Sequence, residues 1–310
     1  MGGMLAGTTV AMLGGDAREV ILLEELLNQG ARVRVAGLGE LPPREGCTIG
    51  ADAGAAVRGA AVIILPVPGV NAQGMIHAPR SREPLFLDPE LAGNITAGTP
   101  VLVGVAQEYL KETAARHGWL LVETAAMDEM AILNSIPTAE GAMMLAMQEL
   151  PITLHGAAAF ILGLGRTGFT LARILAGVGA GVTVIDRGAA DRARAYAEGW
   201  PAFSFAELAA HIGAADVIFN TVPALVLTPA VLARTRAEVL IIDLASAPGG
   251  TDFAAATALQ RRAMLAPGLP GKVAPRTAGR ILARIYPHLI VKCLERPSAL
   301  RGGAPNAVAG

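Results

Sequence analysis

The chain has 310 residues, of which 53% are hydrophobic, and its formal net charge is −1. This length and composition fit one large or two medium-sized domains, and the near-zero charge argues against nucleic-acid or anionic-membrane binding. No run of about 18 apolar residues is uninterrupted, so we expect no membrane span. The two cysteines fit neither a metal-ligand spacing nor a disulfide framework, which favours a cytoplasmic protein without a metal site.

Residues 1–133 predict a doubly wound α/β domain. Continuous apolar segments alternate with helical patterns, as expected for parallel strands that are buried on both faces. The first predicted strand is followed by GGDAR, in which Asp16 stands where a phosphate-facing glycine is expected. A carboxylate there opposes the attraction of the helix dipole for phosphate, so we expect no dinucleotide at this loop. Asp16 either caps its helix or, together with Arg18, faces a cleft and binds substrate.

Residues 134–152 predict a crossover helix that joins two domains and forms the back wall of the cleft. Pro137 suits the first turn of such a helix, and Ser135 or Thr138 suits its N-cap. Glu140 then lies in the first turn, where we expect it to serve only the helix dipole.

Residues 153–275 predict a second doubly wound domain, of the Rossmann type. GLGRTG at 163–168 follows an apolar segment and precedes a helical one, which is the context required of the dinucleotide-binding pattern Gly-x-Gly-x-x-Gly. In that pattern Gly163 permits the tight turn, Gly165 leaves room for the pyrophosphate, and Gly168 lets the helix approach the strand. The sequence therefore predicts binding of NAD or NADP to the second domain.

The choice between NAD and NADP stays open, because two adjacent residues favour different cofactors. Asp186 is placed to hydrogen-bond a ribose 2′-hydroxyl, as in NAD, whereas Arg187 is suited to the 2′-phosphate of NADP. The segments NTVP (220–223) and DLASAPGG (243–250) follow later strands, and we expect them beside the cofactor, the second near the nicotinamide. The predicted cofactor-binding residues are Gly163, Gly165, Arg166, Thr167, Gly168, Asp186, Arg187, Asn220, Thr221, Pro223 and Ala245.

Residues 276–296 predict a long helix that returns the chain to the first domain. The last residues, 297–310, have the Gly, Pro and Ala content of a disordered tail.

Six segments resemble, in the same order, the dipicolinate synthase A subunits of spore-forming bacteria. They are GGDAR, NSIPTAEGA, GLGRTG, FNTVPALVL, IIDLASAPGGTDF and APGLPGKVAPRTAG, and the resemblance covers about residues 5–290. It implies oxidation of dihydrodipicolinate to dipicolinate (pyridine-2,6-dicarboxylate) with a nicotinamide cofactor, usually NADP, together with a B subunit. It also implies the mother-cell cytoplasm during sporulation. Asp186 departs from the small residue that is usual in the family, and we further expect a homo-oligomer.

The implied reaction needs groups that hold two carboxylates, because the cofactor and the aromatisation of the ring supply the driving force. The first N–H groups of the crossover helix and arginine side chains suit this purpose. The predicted substrate-binding residues are Arg18, Ser135, Thr138 and Arg276. No catalytic base is identified, and we expect His155 to be structural.

Two alternatives from other functional classes stay open. The chain also resembles D-2-hydroxyacid dehydrogenases, but Ala245 and Gly268 lie in the segments where those enzymes carry a catalytic Arg and His. Without a base, oxidation of a hydroxyl group loses a contribution of roughly 10²–10⁴-fold. The other alternative is a nucleotide-binding protein that organises a catalytic partner without turnover of its own.

Overall fold

The chain divides into two compact α/β units in a computed structural model that describes residues 3–50 and 52–295. The first unit comprises the described residues up to Met130 together with residues 275–295, and the second comprises Ala131–Ala274. The last helix of the chain therefore belongs to the first unit.

The helices and strands alternate along the chain. The strands are β1 (Thr9–Leu13), β2 (Arg32–Ala36), β3 (Cys47–Ile49), β4 (Val62–Ile64), β5 (Met75–Ile76), β6 (Leu85–Phe86), β7 (Pro100–Val103), β8 (Leu120–Glu123), β9 (Ala158–Leu162), β10 (Gly181–Ile185), β11 (Ala202–Phe203), β12 (Val217–Asn220), β13 (Leu240–Asp243) and β14 (Arg262–Leu265). The α-helices are α1 (Ala17–Asn28), α2 (Ala53–Val57), α3 (Pro89–Gly93), α4 (Glu108–His117), α5 (Asp128–Glu149), α6 (Arg166–Gly177), α7 (Ala189–Ala197), α8 (Leu208–His211), α9 (Pro229–Leu232), α10 (Phe253–Ala258), α11 (Leu269–Val273) and α12 (Pro275–Glu295). Two short 3₁₀ helices span Thr124–Ala126 and Ile212–Ala214.

In the first unit, six parallel strands form one sheet in the order β3-β2-β1-β4-β7-β8, and β5 pairs with β6 outside it. The chain reverses its direction of strand addition at β1, because β2 lies on one side of it and β4 on the other. In doubly wound folds, ligands bind beyond the carboxyl ends of the strands at such a reversal. The segment that follows β1 is GGDAR, so this loop lies at the reversal of the first sheet.

The second unit repeats this layout, with six parallel strands in the order β11-β10-β9-β12-β13-β14. Ala159 and Ile161 of β9 enter one hydrophobic core, whereas Phe160 and Leu162 enter another on the opposite face. A sheet that is covered on both faces needs apolar residues at every position of its central strands, and this explains the continuous apolar segments. The prediction of two doubly wound α/β domains is confirmed.

The predicted bounds of the crossover helix are wrong, because α5 begins at Asp128 rather than at position 134. Acidic side chains occupy its first turn, where they suit the positive end of the helix dipole. Pro137 therefore lies inside the helix instead of at its start. Pro137 has no N–H to donate to the carbonyl of Leu133, but the helix continues on both sides of it.

The predicted N-cap at Ser135 or Thr138 is wrong for the same reason, and Glu140 lies near the middle of α5. Both hydroxyls donate to carbonyls of the preceding turn. Ser135 Oγ lies 2.6 Å from the Ile132 carbonyl oxygen, and Thr138 Oγ1 lies 2.7 Å from that of Asn134. This local pairing is usual for Ser and Thr inside helices.

Helix α12 packs along α1 within the first unit. At Gly279 the two helices are so close that a Cβ atom would lie 2.8 Å from Ile21 Cδ1 and 3.1 Å from the Arg18 carbonyl oxygen. The first turns of α1 and α12 therefore lie together. The tail predicted at 297–310 lies outside the described residues, and within the described part no helix is long and apolar enough to cross a membrane.

Candidate functional site

The glycine loop between β9 and α6 has the geometry that a dinucleotide needs. Gly163 has a φ of +88°, and a Cβ atom there would lie 2.6 Å from Thr221 Oγ1. A Cβ atom on Gly168 would lie 1.9 Å from the Gly163 carbonyl oxygen, so only glycine permits this contact between helix and loop. By contrast, no atom lies within 4 Å of a Cβ atom built on Gly165. The second glycine thus faces open space, where the pyrophosphate approaches in this kind of loop.

The N-terminus of α6 is suited to a bound anion. Gly165 occupies the N-cap position, and no side chain caps the helix there. Arg166 and Thr167 form the first two helical positions, so they lie at the positive end of the helix dipole. This field favours a phosphate at the start of α6.

Asp186, directly after β10, organises the glycine loop. Its carboxylate is 7% exposed and accepts hydrogen bonds from the N–H groups of Leu164 and Gly188, each at 2.7 Å. Arg192 fixes the same turn, because its Nη1 donates to the carbonyl oxygens of Asp186 and Arg187 at 2.8 Å each. A carboxylate has about four acceptor positions, so Asp186 retains capacity for a ribose hydroxyl. Sequence reasoning missed Arg192, which carries no motif of its own.

The predicted residues after β12 and β13 lie at the same edge of the second sheet. Thr221 Oγ1 lies 3.0 and 3.1 Å from the carbonyl oxygens of Leu162 and Gly163, between which it shares its one proton, and so ties its loop to the glycine loop. The fully buried Asn220 donates to the carboxylate of Asp243 at the end of the neighbouring strand. The structure therefore brings the predicted cofactor-binding residues to one edge, where parallel sheets bind ligands. Asp243 was missed, although a charged residue that ends an apolar strand was a signal for it.

The corresponding loop of the first unit is closed by the chain's own side chains. Asp16 Oδ1 accepts the N–H of Arg18 at 2.9 Å, and Glu19 Oε2 accepts the N–H of Asp16 at 2.8 Å. Glu19 is 2% exposed, and its Oε1 accepts the N–H of Val67 at 3.1 Å. A Cβ atom on Gly15 would lie 2.7 Å from the Glu19 side chain. Two carboxylates thus occupy the N-terminus of α1, where a phosphate would bind in a dinucleotide domain.

An ion pair and a histidine complete this first-unit cluster. The Arg18 guanidinium lies 2.8 Å from Asp16 Oδ2, and His77 Nε2 lies 4.0 Å from the same oxygen. Burial would raise the pKa of Asp16, but the hydrogen bonds and charge of Arg18 lower it overall. Burial raises the pKa of Glu19 and lowers that of His77. Arg18 is therefore a buried cation whose charge is already shared with one carboxylate.

Ser135 and Thr138, the two predicted substrate-binding residues on α5, already use their hydroxyl protons in hydrogen bonds within the structure. Besides its bond to a helix carbonyl, Ser135 Oγ lies 2.6 Å from Thr170 Oγ1 of α6, and Ser135 is 2% exposed. A hydroxyl has one proton to donate, so neither Ser135 nor Thr138 can donate to an anion without losing a helix contact. Both substrate-binding roles stay predictions.

Arg276 is exposed and is the second residue of α12. Gly279, one turn later, lies against the Arg18 carbonyl oxygen. Arg276 and Arg18 are therefore at the same end of the first unit. This neighbourhood is not visible in the sequence, where the two residues are far apart.

Neither a metal-ligand cluster nor His155 contributes to the ligand-binding edge in the described part of the chain. Within residues 3–50 and 52–295, no three His, Cys, Asp or Glu side chains are grouped so as to hold a metal ion. His155 packs on Gly179, and its Nδ1 lies 3.2 Å from the Val178 carbonyl oxygen, before the amino end of β9. This position is remote from the carboxyl edge and is consistent with a structural role.

The chain is similar to known proteins over nearly its full length. The family model for the N-terminal domain of the dipicolinate synthase A subunit matches residues 9–125, and "D-isomer specific 2-hydroxyacid dehydrogenase, NAD binding domain" matches 137–265. The dipicolinate synthase A subunit of Bacillus subtilis (strain 168) is 38% identical over 293 residues, which are 93% of this chain and 98% of the relative. The crystal structure of the A subunit from Bacillus halodurans has a TM-score of 0.89 at 38% identity, with 93% of this chain and 99% of that chain covered.

A second crystal structure, of the A subunit from Bacillus subtilis, has a TM-score of 0.88 at 37% identity and covers 95% of this chain and 99% of that chain. A transhydrogenase from Sinorhizobium meliloti is more distant, with a TM-score of 0.65 at 17% identity over 92% of this chain and 94% of that chain. That likeness concerns the fold alone. Together with the open glycine loop, the matches identify the second unit as a Rossmann domain that binds NAD or NADP.

We predict that Gly165→Val abolishes dinucleotide binding and leaves the fold intact. The valine side chain fills the space reserved for pyrophosphate but meets no protein atom within 4 Å of its Cβ. Isothermal titration calorimetry with NADH and NADPH measures the loss. Gly168→Ala is the contrasting variant, which we expect to lose stability as well, because its Cβ collides with the Gly163 carbonyl. A folded Gly165→Val protein with unchanged affinity would contradict the assignment.

We also predict that Asp186→Ala weakens the binding of both NADH and NADPH by about tenfold and shifts the preference toward NADPH. The general loss follows from the missing acceptor for the Leu164 N–H, and the shift follows from removing a negative charge near the ribose. Arg187→Ala is the matched variant, which should shift the preference toward NADH. The ratio of the two dissociation constants is the measurement, and an unchanged ratio in both variants excludes a role in cofactor choice.

Proposed function

The chain belongs to the family of dipicolinate synthase A subunits, and from that premise we propose that it oxidises dihydrodipicolinate to dipicolinate. It is an NAD(P)-dependent oxidoreductase with an NAD-binding domain. The proposal that dihydrodipicolinate is the substrate is supported by the contrast between the β1–α1 loop of the first unit and the β9–α6 loop of the second. The loop of the second unit is open and uncapped, whereas that of the first is filled by two carboxylates beside a buried arginine. One unit is thus suited to the dinucleotide, and the other can supply groups for a small anionic substrate.

The proposed reaction balances with a nicotinamide cofactor alone. A ring carbon of dihydrodipicolinate loses a hydride, the adjacent ring position loses a proton, and the ring becomes aromatic. When bound, the oxidised nicotinamide supplies the hydride acceptor. The chain's residues then have to bind and orient both molecules, so a strong base is not the main requirement.

We propose that Arg18 and Arg276 hold the carboxylates of the substrate. A guanidinium can bind a carboxylate through two parallel hydrogen bonds, and both side chains lie at the same end of the first unit. Asp16 fixes the Arg18 guanidinium through Nε and Nη2, so the cation is held in one orientation before substrate arrives. This arrangement lowers the entropic cost of binding a rigid dicarboxylate.

We further propose that the chain acts with a B subunit, as a homo-oligomer, in the mother-cell cytoplasm during sporulation. The support for a second kind of polypeptide is that the relatives are named as the A subunits of a synthase. The hydroxyacid dehydrogenase alternative is less well supported, because Ala245 and Gly268 leave its expected Arg and His positions without ionisable groups.

The test combines the full-length chain, NAD⁺ or NADP⁺ and freshly generated dihydrodipicolinate, with and without the B subunit. We expect dipicolinate and reduced nicotinamide to appear together in equal amounts. Turnover only after the B subunit is added would support a shared enzyme. Turnover of 2-hydroxy acids without turnover of dihydrodipicolinate would overturn the proposal. So would full activity of the B subunit in the absence of this chain.

We predict that Arg18→Ala lowers kcat/KM for the dicarboxylate by about tenfold or more, because a charged bidentate contact is lost. The affinity for the nicotinamide cofactor should be unchanged, since the glycine loop belongs to the other unit. Steady-state kinetics and calorimetry measure the two quantities. Arg44→Ala is the matched control, because it removes only an exposed ion pair with Glu24 in the same unit. Unchanged kinetic constants in Arg18→Ala would mean that GGDAR starts helix α1 and does not bind the substrate.

A further inference from the structure

Asp243 is a completely buried carboxylate at the carboxyl end of β13. Its Oδ1 accepts hydrogen bonds from Asn220 Nδ2 at 3.0 Å and from the N–H of Ala245 at 3.1 Å. Its Oδ2 accepts the N–H of Gly250 at 2.8 Å and the hydroxyl of Thr251 at 2.7 Å. All four donors are neutral, and in the described part of the chain no ion pair involves Asp243.

The donors come from both segments that end the neighbouring strands β12 and β13. Asn220 continues the network, because its Oδ1 accepts the N–H of Val222 at 3.1 Å. The backbone wraps closely around the carboxylate: a Cβ atom on Gly249 would lie 2.9 Å from Asp243 Oδ2. A Cβ atom on Gly250 would lie 2.5 Å from the Val222 carbonyl oxygen. One side chain thus connects the 220–227 and 243–251 segments.

We propose that Asp243 is a positioning residue that holds these two segments in the shape required by the nicotinamide half of the cofactor. The inference rests on the proposed function, because an oxidoreductase of that kind brings its nicotinamide to the predicted cofactor-binding residues, among them Asn220, Thr221 and Ala245. A buried charge is costly unless donors satisfy it, so the carboxylate is stable only while all four donors stay in place. The two segments are therefore fixed relative to each other, whereas the adenosine half depends on the glycine loop and Asp186.

The substitution Asp243→Asn distinguishes this role with little change in shape. An asparagine presents one oxygen and one NH₂ group, so its NH₂ must face either Asn220 and Ala245 or Gly250 and Thr251. In either orientation it opposes at least one backbone N–H, and that segment has to move. Among the described residues, the glycine loop makes no hydrogen bond to Asp243. It contacts the 220–227 segment through Thr221, and Asp186 holds it independently through the Leu164 N–H, so we expect its shape to change little.

The experiment measures dissociation constants of the full-length chain by calorimetry and nicotinamide fluorescence. The ligands are the preferred reduced cofactor and its adenosine fragment, ADP for NADH or 2′-phospho-ADP for NADPH. We expect Asp243→Asn to bind the cofactor about tenfold more weakly and the fragment within about twofold of wild type. Asp216→Asn is the matched control at the opposite edge of the same sheet, where the carboxylate accepts the Ala158 N–H and pairs with Arg236.

The outcomes separate the inference from the function on which it rests. If the wild-type chain binds no nicotinamide cofactor, the proposed function fails and the inference fails with it. The inference alone is overturned if the wild-type chain binds the cofactor and Asp243→Asn either weakens the binding of cofactor and fragment equally or changes the binding of neither. Should Asp243→Asn fail to fold, Thr251→Val removes a single donor, and selective weakening of the cofactor in that variant supports the inference. Equal effects on both ligands in Thr251→Val overturn it.

Discussion

The first backbone N–H groups of a helix can donate to a carboxylate of the same chain or to a bound anion. The two units differ in which of these acceptors their first long helix is suited to. Asp16 and Glu19 cap the N-terminus of α1, whereas α6 begins at Arg166, after an N-cap glycine that has no side chain to cap it. Both helices follow the central strand of similar parallel sheets. A few side chains at one turn therefore decide whether the helix N-terminus in each unit is open to an anion.

Two carboxylates, of Asp186 and Asp243, shape the ligand-binding edge of the second unit by accepting hydrogen bonds from neutral groups. Asp186 accepts backbone N–H groups from the glycine loop and from the turn after β10, and Asp243 connects the ends of β12 and β13. Each carboxylate uses several acceptor positions to hold two chain segments at once. The edge is thus assembled by acceptors at its strand ends, while the helix dipole of α6 supplies the positive field for phosphate.

The fold class was predictable because buried parallel strands and glycine turns leave local patterns, and GLGRTG has a fixed relation to strand and helix. The start of α5 was not, because Pro137 resembles a start signal but is tolerated in the interior of a long helix. The network of Asp243 was also hidden, since its donors lie up to 23 residues away and meet only through strand pairing. Proximity of Arg18 and Arg276 depends on the packing of α1 on α12, which no local pattern encodes.

The neutral donors around Asp243 have a consequence for ionic strength. Dissolved ions screen exposed pairs such as Arg44–Glu24 within a Debye length of about 8 Å at physiological salt, but they do not reach a carboxylate of zero exposure. Dipoles of fixed N–H and O–H groups hold this charge, and their attraction changes little with the composition of the surrounding solution. The 220–227 and 243–251 segments therefore keep their geometry over salt concentrations at which the surface charges of the protein lose most of their mutual attraction.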